Sequence, residues 1–217
     1  MTAIKICGIK SEETALAAAE AGADFIGLVF ANSPRQVTPA QAEKIVASLK
    51  KSKTKAKVVG VFVNTPAPTV RKIADTCRLD WVQLSGDEPW EYCLDLARPV
   101  IKVIRVDSDH QPGPVGKQLS SGSKIMGEQK HMFLLDSSDS EKYGGTGRTF
   151  DWNLAKLVAE KFPVIIAGGL NSENVGRVIK LIKPWGVDVS TGVETKGAKD
   201  MKKIIKFIEA VRKADAG

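Results

Sequence analysis

Val164-Ile165-Ile166-Ala167-Gly168-Gly169 and Val187-Asp188-Val189-Ser190-Thr191-Gly192 share one plan. Each is a short, mostly apolar, β-branched run that stops abruptly in small or polar residues. Between them, residues 171–182 carry apolar side chains at helical spacing. That is a strand–helix–strand unit, and it recurs along the chain. Strand candidates fall at residues 3–7, 25–30, 57–63, 81–84, 100–106, 131–136, 164–167 and 187–190, eight in all. Most are continuous apolar runs rather than alternating ones, which suits parallel strands covered on both faces.

Helical stretches separate the strands. Ser11 followed by Glu12 and Glu13 opens the first, and Gly22 follows its end. Thr38-Pro39 opens the second, with Pro at the first helical position. Residues 66–76, 88–97, 151–161 and 198–213 supply others, the last with Met201, Ile204, Ile205, Ile208 and Val211 on one stripe. Residues 108–130 are the weakest part, rich early in Gly, Ser and Pro, and predict only a short, poorly defined helix. A domain boundary there is disfavoured because the β/α rhythm resumes at His131 with unchanged composition. Eight alternating units permit a closed (β/α)8 barrel or an open doubly wound sheet. The count, and the polar residues collected at the C-terminal ends of strands, favour a single barrel domain over residues 1–217. No GxGxxG follows the first strand, so the main dinucleotide-binding signal is missing.

Composition narrows the classes. A chain of 217 residues that is 43% hydrophobic can fill one large core. No run approaches roughly 18 apolar residues, and the N-terminus lacks the apolar region of a signal peptide. Cys7, Cys77 and Cys93 are odd in number and widely spaced, which argues against a disulfide framework or structural zinc and points to the cytoplasm. The net charge of +7 raises nucleic-acid binding as an alternative. Its lysines, Lys50, Lys51, Lys53, Lys55 and Lys57 or Lys199, Lys202, Lys203 and Lys206, read instead as solvated helix faces. They have no interleaved aromatic residues to stack bases.

Candidate chemistry lies at the strand ends. Barrels commonly bind phosphate between the loops after strands seven and eight, on backbone N–H groups. Gly168, Gly169, Ser190, Thr191 and Gly192 fit that role better than they fit tight turns alone. Cys7 has two readings of equal weight: a small buried hydrophobe, or a thiolate in electropositive surroundings. Asp136 closes an apolar strand, so it either caps the next loop or serves as a general acid or base. The loop after it contains Gly144-Gly145-Thr146-Gly147, a lid or an imitation of a phosphate loop without the Gly-Lys-Ser/Thr ending. His110 and His131, the two histidines, sit away from C-terminal strand ends, so a His-based triad or catalytic zinc is disfavoured.

These segments resemble the phosphoribosylanthranilate isomerase family over the whole chain. The matching motifs are KICGI (5–9), SPRQVTP (33–39), GVFVN (60–64), VQLSGDE (82–88), LLDS (134–137), YGGTGRTFDW (143–152), AGGLNSENV (167–175) and VDVSTGVE (187–194). The resemblance implies a (β/α)8 barrel that performs an Amadori rearrangement without cofactor or metal, in tryptophan biosynthesis. It implies Cys7 as general base and Asp136 as general acid. It places Arg35 on the anthranilate carboxylate, and Gly168, Gly169, Ser190 and Gly192 on the phosphate, with Gln83 and Asp188 lining the pocket. Gly145 and Thr191 are further candidates for binding substrate. The chain departs from the family at Ser85, where many members have His, at Gln36, where an aromatic is frequent, and in TKGAKD (195–200), which lacks the usual Pro. The partner expected is a phosphorylated aminosugar, not nucleic acid or membrane, and the assembly a monomer or homodimer. The competing enzyme reading is another phosphosugar barrel, such as an epimerase. Metal-dependent epimerases need His ligands at strand ends, which this chain lacks.

Overall fold

The computed structural model describes residues 1–106, 112–137 and 152–217. Eight parallel strands close into a ring in sequence order: β1 (Ala3–Cys7), β2 (Phe25–Val29), β3 (Lys57–Phe62), β4 (Trp81–Leu84), β5 (Val100–Val106), β6 (His131–Ser137), β7 (Val164–Ile166) and β8 (Gly186–Val189). The ring closes where Ala3, Ile4, Lys5 and Ile6 of β1 pair with Gly186, Val187, Asp188 and Val189 of β8. The expected barrel is the observed one, and the open sheet is excluded.

Alternation along each strand sorts the side chains. One set, including Ile4, Ile6, Ile26, Leu28, Val58, Val82 and Leu84, is buried against the helices. The other set points into the barrel, where Phe25, Val59, Trp81, Ile101, Val103, Met132, Leu134 and Ile165 form a separate apolar cluster. Large apolar residues thus plug the N-terminal half of the barrel, and smaller or polar ones remain towards the C-terminal ends.

The helices are α1 (Glu12–Glu20), α2 (Pro39–Lys51), α3 (Ala67–Thr76), α4 (Trp90–Leu94), α5 (Pro112–Met126), α6 (Trp152–Ala159), α7 (Val175–Ile182) and α8 (Met201–Ala216). Ser11 caps α1 by accepting from the Thr14 N–H, and Thr38 with Gln41 forms a full capping box on α2. Among the described residues, no helix is long and apolar enough to cross a membrane.

Three expectations need correction. Residues 112–126 form a well-developed 15-residue helix, not a short one. Val115, Leu119, Gly122 and Met126 make its buried stripe, and the bare Cα of Gly122 admits the Trp90 ring, which a Cβ would meet at 2.6 Å. Helix α7 starts at Val175 rather than 171, because the Asn171 side chain accepts from the N–H groups of Glu173 and Asn174 and holds a turn. Helix α8 starts at Met201: Asp200 caps it, and Ala198–Lys199 instead pairs with Glu194–Thr195 in a small hairpin.

A buried ion pair outside the barrel interior shapes the loop after β4. Lys102 Nζ donates to Glu88 Oε2 at 2.7 Å and to the Gly86 carbonyl at 3.0 Å. Glu88 also accepts from the Asn64 and Gly86 N–H groups. Removing one partner of such a pair strands the other charge out of water. Lys102→Met is expected to destabilise the protein by about 3 kcal/mol, near the low end for a broken buried pair because Glu88 keeps two backbone donors. Urea unfolding checks this, and a loss below about 1 kcal/mol would mean that those donors suffice.

Candidate active site

A cavity of about 720 Å³ opens at the C-terminal end of the barrel. That size suits a small ligand. Cys7, Arg35, Gln83, Asp136, Gly168, Gly169, Asp188, Ser190 and Thr191 all line it. The strands bring these together from positions up to 184 residues apart in sequence (191 − 7). Gly192 is not among the lining residues. It lies in the 3-10 turn Thr191–Val193 behind the cavity wall, where a Cβ would meet the Leu170 carbonyl oxygen at 1.8 Å. Gly145 and the rest of its loop, with His110, lie outside the described residues.

Cys7 ends β1 and is 8% exposed. Its neighbour across the sheet is Gly27, where a Cβ would come within 3.0 Å of Cys7 Sγ, so the glycine makes room for the thiol. Burial pushes the thiol up from its ordinary range, and the Asp188 carboxylate adds to that. The charges of Lys5 and Lys199 pull the other way without prevailing. Asp136 is on β6, beside Arg105 of β5 in register.

Gly168 and Gly169 after β7 and Ser190 and Thr191 after the neighbouring β8 line one part of the cavity. Gly168 and Gly169 take φ of +84° and +63°, a turn open to glycine. The Asn174 side-chain amide donates to the Gly169 carbonyl at 2.9 Å and steadies this turn. Lys199 Nζ donates to the Ser190 carbonyl at 2.9 Å and to Ser190 Oγ at 3.3 Å.

Arg35 enters the cavity already held. Its Nε and Nη2 donate to the two oxygens of Glu194 at 2.7 and 2.8 Å, a bidentate pair. Lys199 Nζ also donates to Glu194 Oε1, at 2.6 Å. Burial works to raise the Glu194 carboxyl, but the hydrogen bonds from Arg35 and Lys199 outweigh it and hold the group below the usual carboxylate range. Burial lowers the Lys199 ammonium, and Glu194 offsets this only in part.

The family model for N-(5'phosphoribosyl)anthranilate (PRA) isomerase matches residues 4–210. The chain is 47% identical over 215 residues to the N-(5'-phosphoribosyl)anthranilate isomerase of Dehalococcoides mccartyi, covering 99% of this chain and 98% of that one. The chain belongs to the phosphoribosylanthranilate isomerase family. A solved isomerase of this family from Thermotoga maritima superposes with a TM-score of 0.85 at 35% identity, covering 98% of this chain and 100% of that one. Another solved family member, at 34% identity, TM-score 0.82 and the same coverage, is in complex with reduced 1-(o-carboxyphenylamino)-1-deoxyribulose 5-phosphate.

Within this phosphoribosylanthranilate isomerase barrel, several site residues escape a sequence reading. Lys199 is grouped by sequence with solvated helix lysines, yet its side chain is buried and joins Glu194 to Ser190. Glu194 lies in the VDVSTGVE motif but gives no sign of its partner. Arg105 lines the cavity and donates to the Ser85 carbonyl at 2.6 Å and to Asp87 at 3.0 Å. Ser85, where many phosphoribosylanthranilate isomerases have His, accepts from Gln83 Nε2 at 3.1 Å. Lys5 is buried inside the barrel and donates to Asp188 Oδ2 at 2.9 Å. A lysine amid apolar residues was the available signal for that pair. Cys77 and Cys93 are free thiols buried away from the cavity.

Proposed function

We propose that the protein converts N-(5-phosphoribosyl)anthranilate into 1-(o-carboxyphenylamino)-1-deoxyribulose 5-phosphate, with Cys7 as base and Asp136 as acid. One observation carries this reading. A thiol, a carboxylate, an arginine and a glycine-rich cup share one cavity in a barrel of this family. Asp136 protonates the ribose ring oxygen, the C1′–O bond opens, and a Schiff base forms. The Cys7 thiolate removes the C2′ proton to give an enolamine, which tautomerises to the aminoketose. Ring opening needs a proton donor and enolisation needs a base on the adjacent carbon, so two groups of opposite task are required.

The cup at Gly168, Gly169, Ser190 and Thr191 takes the phosphate, with Gly192 fixing the turn behind it. Glu194 uses two of the five N–H groups of Arg35, and the remaining ones meet the anthranilate carboxylate. Gln83 and Asp188 line the ribose and ring portion. Gly145 is a further candidate for binding substrate. The chemistry asks for neither metal nor cofactor, and the protein acts in the cytoplasm as a monomer or homodimer.

The test generates phosphoribosylanthranilate in situ from anthranilate and phosphoribosyl pyrophosphate with a separate transferase, and follows loss of its fluorescence on adding this protein with a chelator present. Rapid loss with formation of the aminoketose is expected. Loss at the spontaneous rate alone, with folded protein, would sink the proposal. A second measurement addresses the brace on Arg35. Glu194→Gln keeps the shape but weakens the hold on the guanidinium, and is expected to raise KM on the order of tenfold, about 1.4 kcal/mol, with kcat little changed. A fall confined to kcat would contradict a binding role.

A further inference from the structure

We propose that Lys5 is a positioning residue for the base: its buried ammonium, paired with the Asp188 carboxylate and two residues from Cys7 on the same inward face of β1, supports the thiolate on which enolisation depends. This rests on Cys7 being the base. Lys5 and Cys7 stand two residues apart on β1, so both point into the barrel. Lys5 is 1% exposed, and its register partner on β8 is Asp188. The barrel interior around it is otherwise filled by apolar residues such as Val59, Ile101 and Ile165. An ion pair is a poor space-filler there, because both groups lose their hydration and apolar residues of similar volume pack as well. Asp188 uses only one oxygen on Lys5, and its Oδ1 is buried without a partner. The pair is therefore not arranged for its own stability.

Lys5 is the cation on the strand that carries the sulfur. Among the described residues, the charges that bear on Cys7 are Lys5 on β1, Asp188 on β8, Lys199 from the hairpin and Arg35 from the loop after β2, with Arg105 and Asp136 lining the same cavity. Lys199 and Arg35 are committed to Glu194. Lys5 gives one N–H to Asp188 and acts on the thiol through its charge. Burial works against the Lys5 ammonium, but Asp188 and Cys7 together hold it above the ordinary lysine range, so it stays charged at working pH. Its pull on the thiol exceeds the opposing push from Asp188.

The test is the pH dependence of Cys7 alkylation by iodoacetamide in the full chain, read on the Cys7 peptide by mass spectrometry so that Cys77 and Cys93 do not contribute. Only the thiolate reacts, so the midpoint reports its formation. Lys5→Met is expected to raise the midpoint by about one pH unit or more, a tenfold fall in rate at a fixed pH below it. Lys5→Met combined with Asp188→Asn leaves no unpaired buried charge, and is expected to raise it by less. If Lys5→Met does not fold, the double variant decides alone. Folded variants that keep the wild-type midpoint would overturn the proposal while leaving Cys7 as the base. Turnover retained by Cys7→Ala would overturn both.

Discussion

Cys7→Ala is expected to lower kcat by about 10²–10⁴-fold, the contribution typical of a positioned general base. The geometry supports a loss of chemistry rather than of structure. Cys7 lies at the end of β1, on the cavity wall, with Val29 and Val61 as its buried apolar neighbours. Truncation removes one sulfur beside Gly27 and leaves the strand pairing of β1 with β2 and β8 untouched. Stability should therefore change by about 1 kcal/mol or less. Cys7→Ser should share the kinetic loss, because a hydroxyl does not ionise in the working range. Steady-state kinetics, with circular dichroism to confirm folding, decides the matter. Activity within tenfold of the parent would remove the thiol from the mechanism. The raised thiol also has a consequence in the unliganded protein: alkylation should be slow at neutral pH and climb into the alkaline range as the thiolate forms.

Asp136→Asn is expected to produce a loss of similar size, about 10²–10⁴-fold in kcat, with KM nearly unchanged. The amide matches the carboxyl in shape but cannot deliver a proton to the ring oxygen. Asp136 lines the same cavity as Cys7 from β6, with β7 and β8 between their strands around the ring. A substrate that spans the cavity would thus meet the acid and the base from different sides. The measurement is again kcat and KM on freshly generated substrate. A variant that raises KM while keeping kcat would recast Asp136 as a binding residue.

Much of the site was readable from residues alone because its chemistry sits where each strand stops. The change from VIIA to Gly168-Gly169, or from VDV to Ser190-Thr191-Gly192, is visible without coordinates. Cys7 and Asp136 are legible as strand-end positions, but the roles proposed for them rest on the family resemblance, since a lone cysteine equally suits a core. Residues 112–126 were under-read because Gly113, Gly116 and Gly122 lower helix propensity locally. Packing overrides that cost, with Gly122 seated against Trp90. Lys199 was misjudged because a lysine before a helix looks the same whether or not a hairpin turns it inward.

The β/α order, the strand count and the strand ends follow from local pattern, since a strand buried on both faces must be continuously apolar and must end where polarity begins. Closure does not follow from local pattern. Shear and register around the ring set which distant residues meet, and no window of sequence encodes them. Closure placed Lys5 beside Asp188, 183 residues away, and Arg35 against Glu194, 159 residues away. In both charged contacts the residue types are visible in the sequence but the choice of partner is not, and only the closed ring makes that choice.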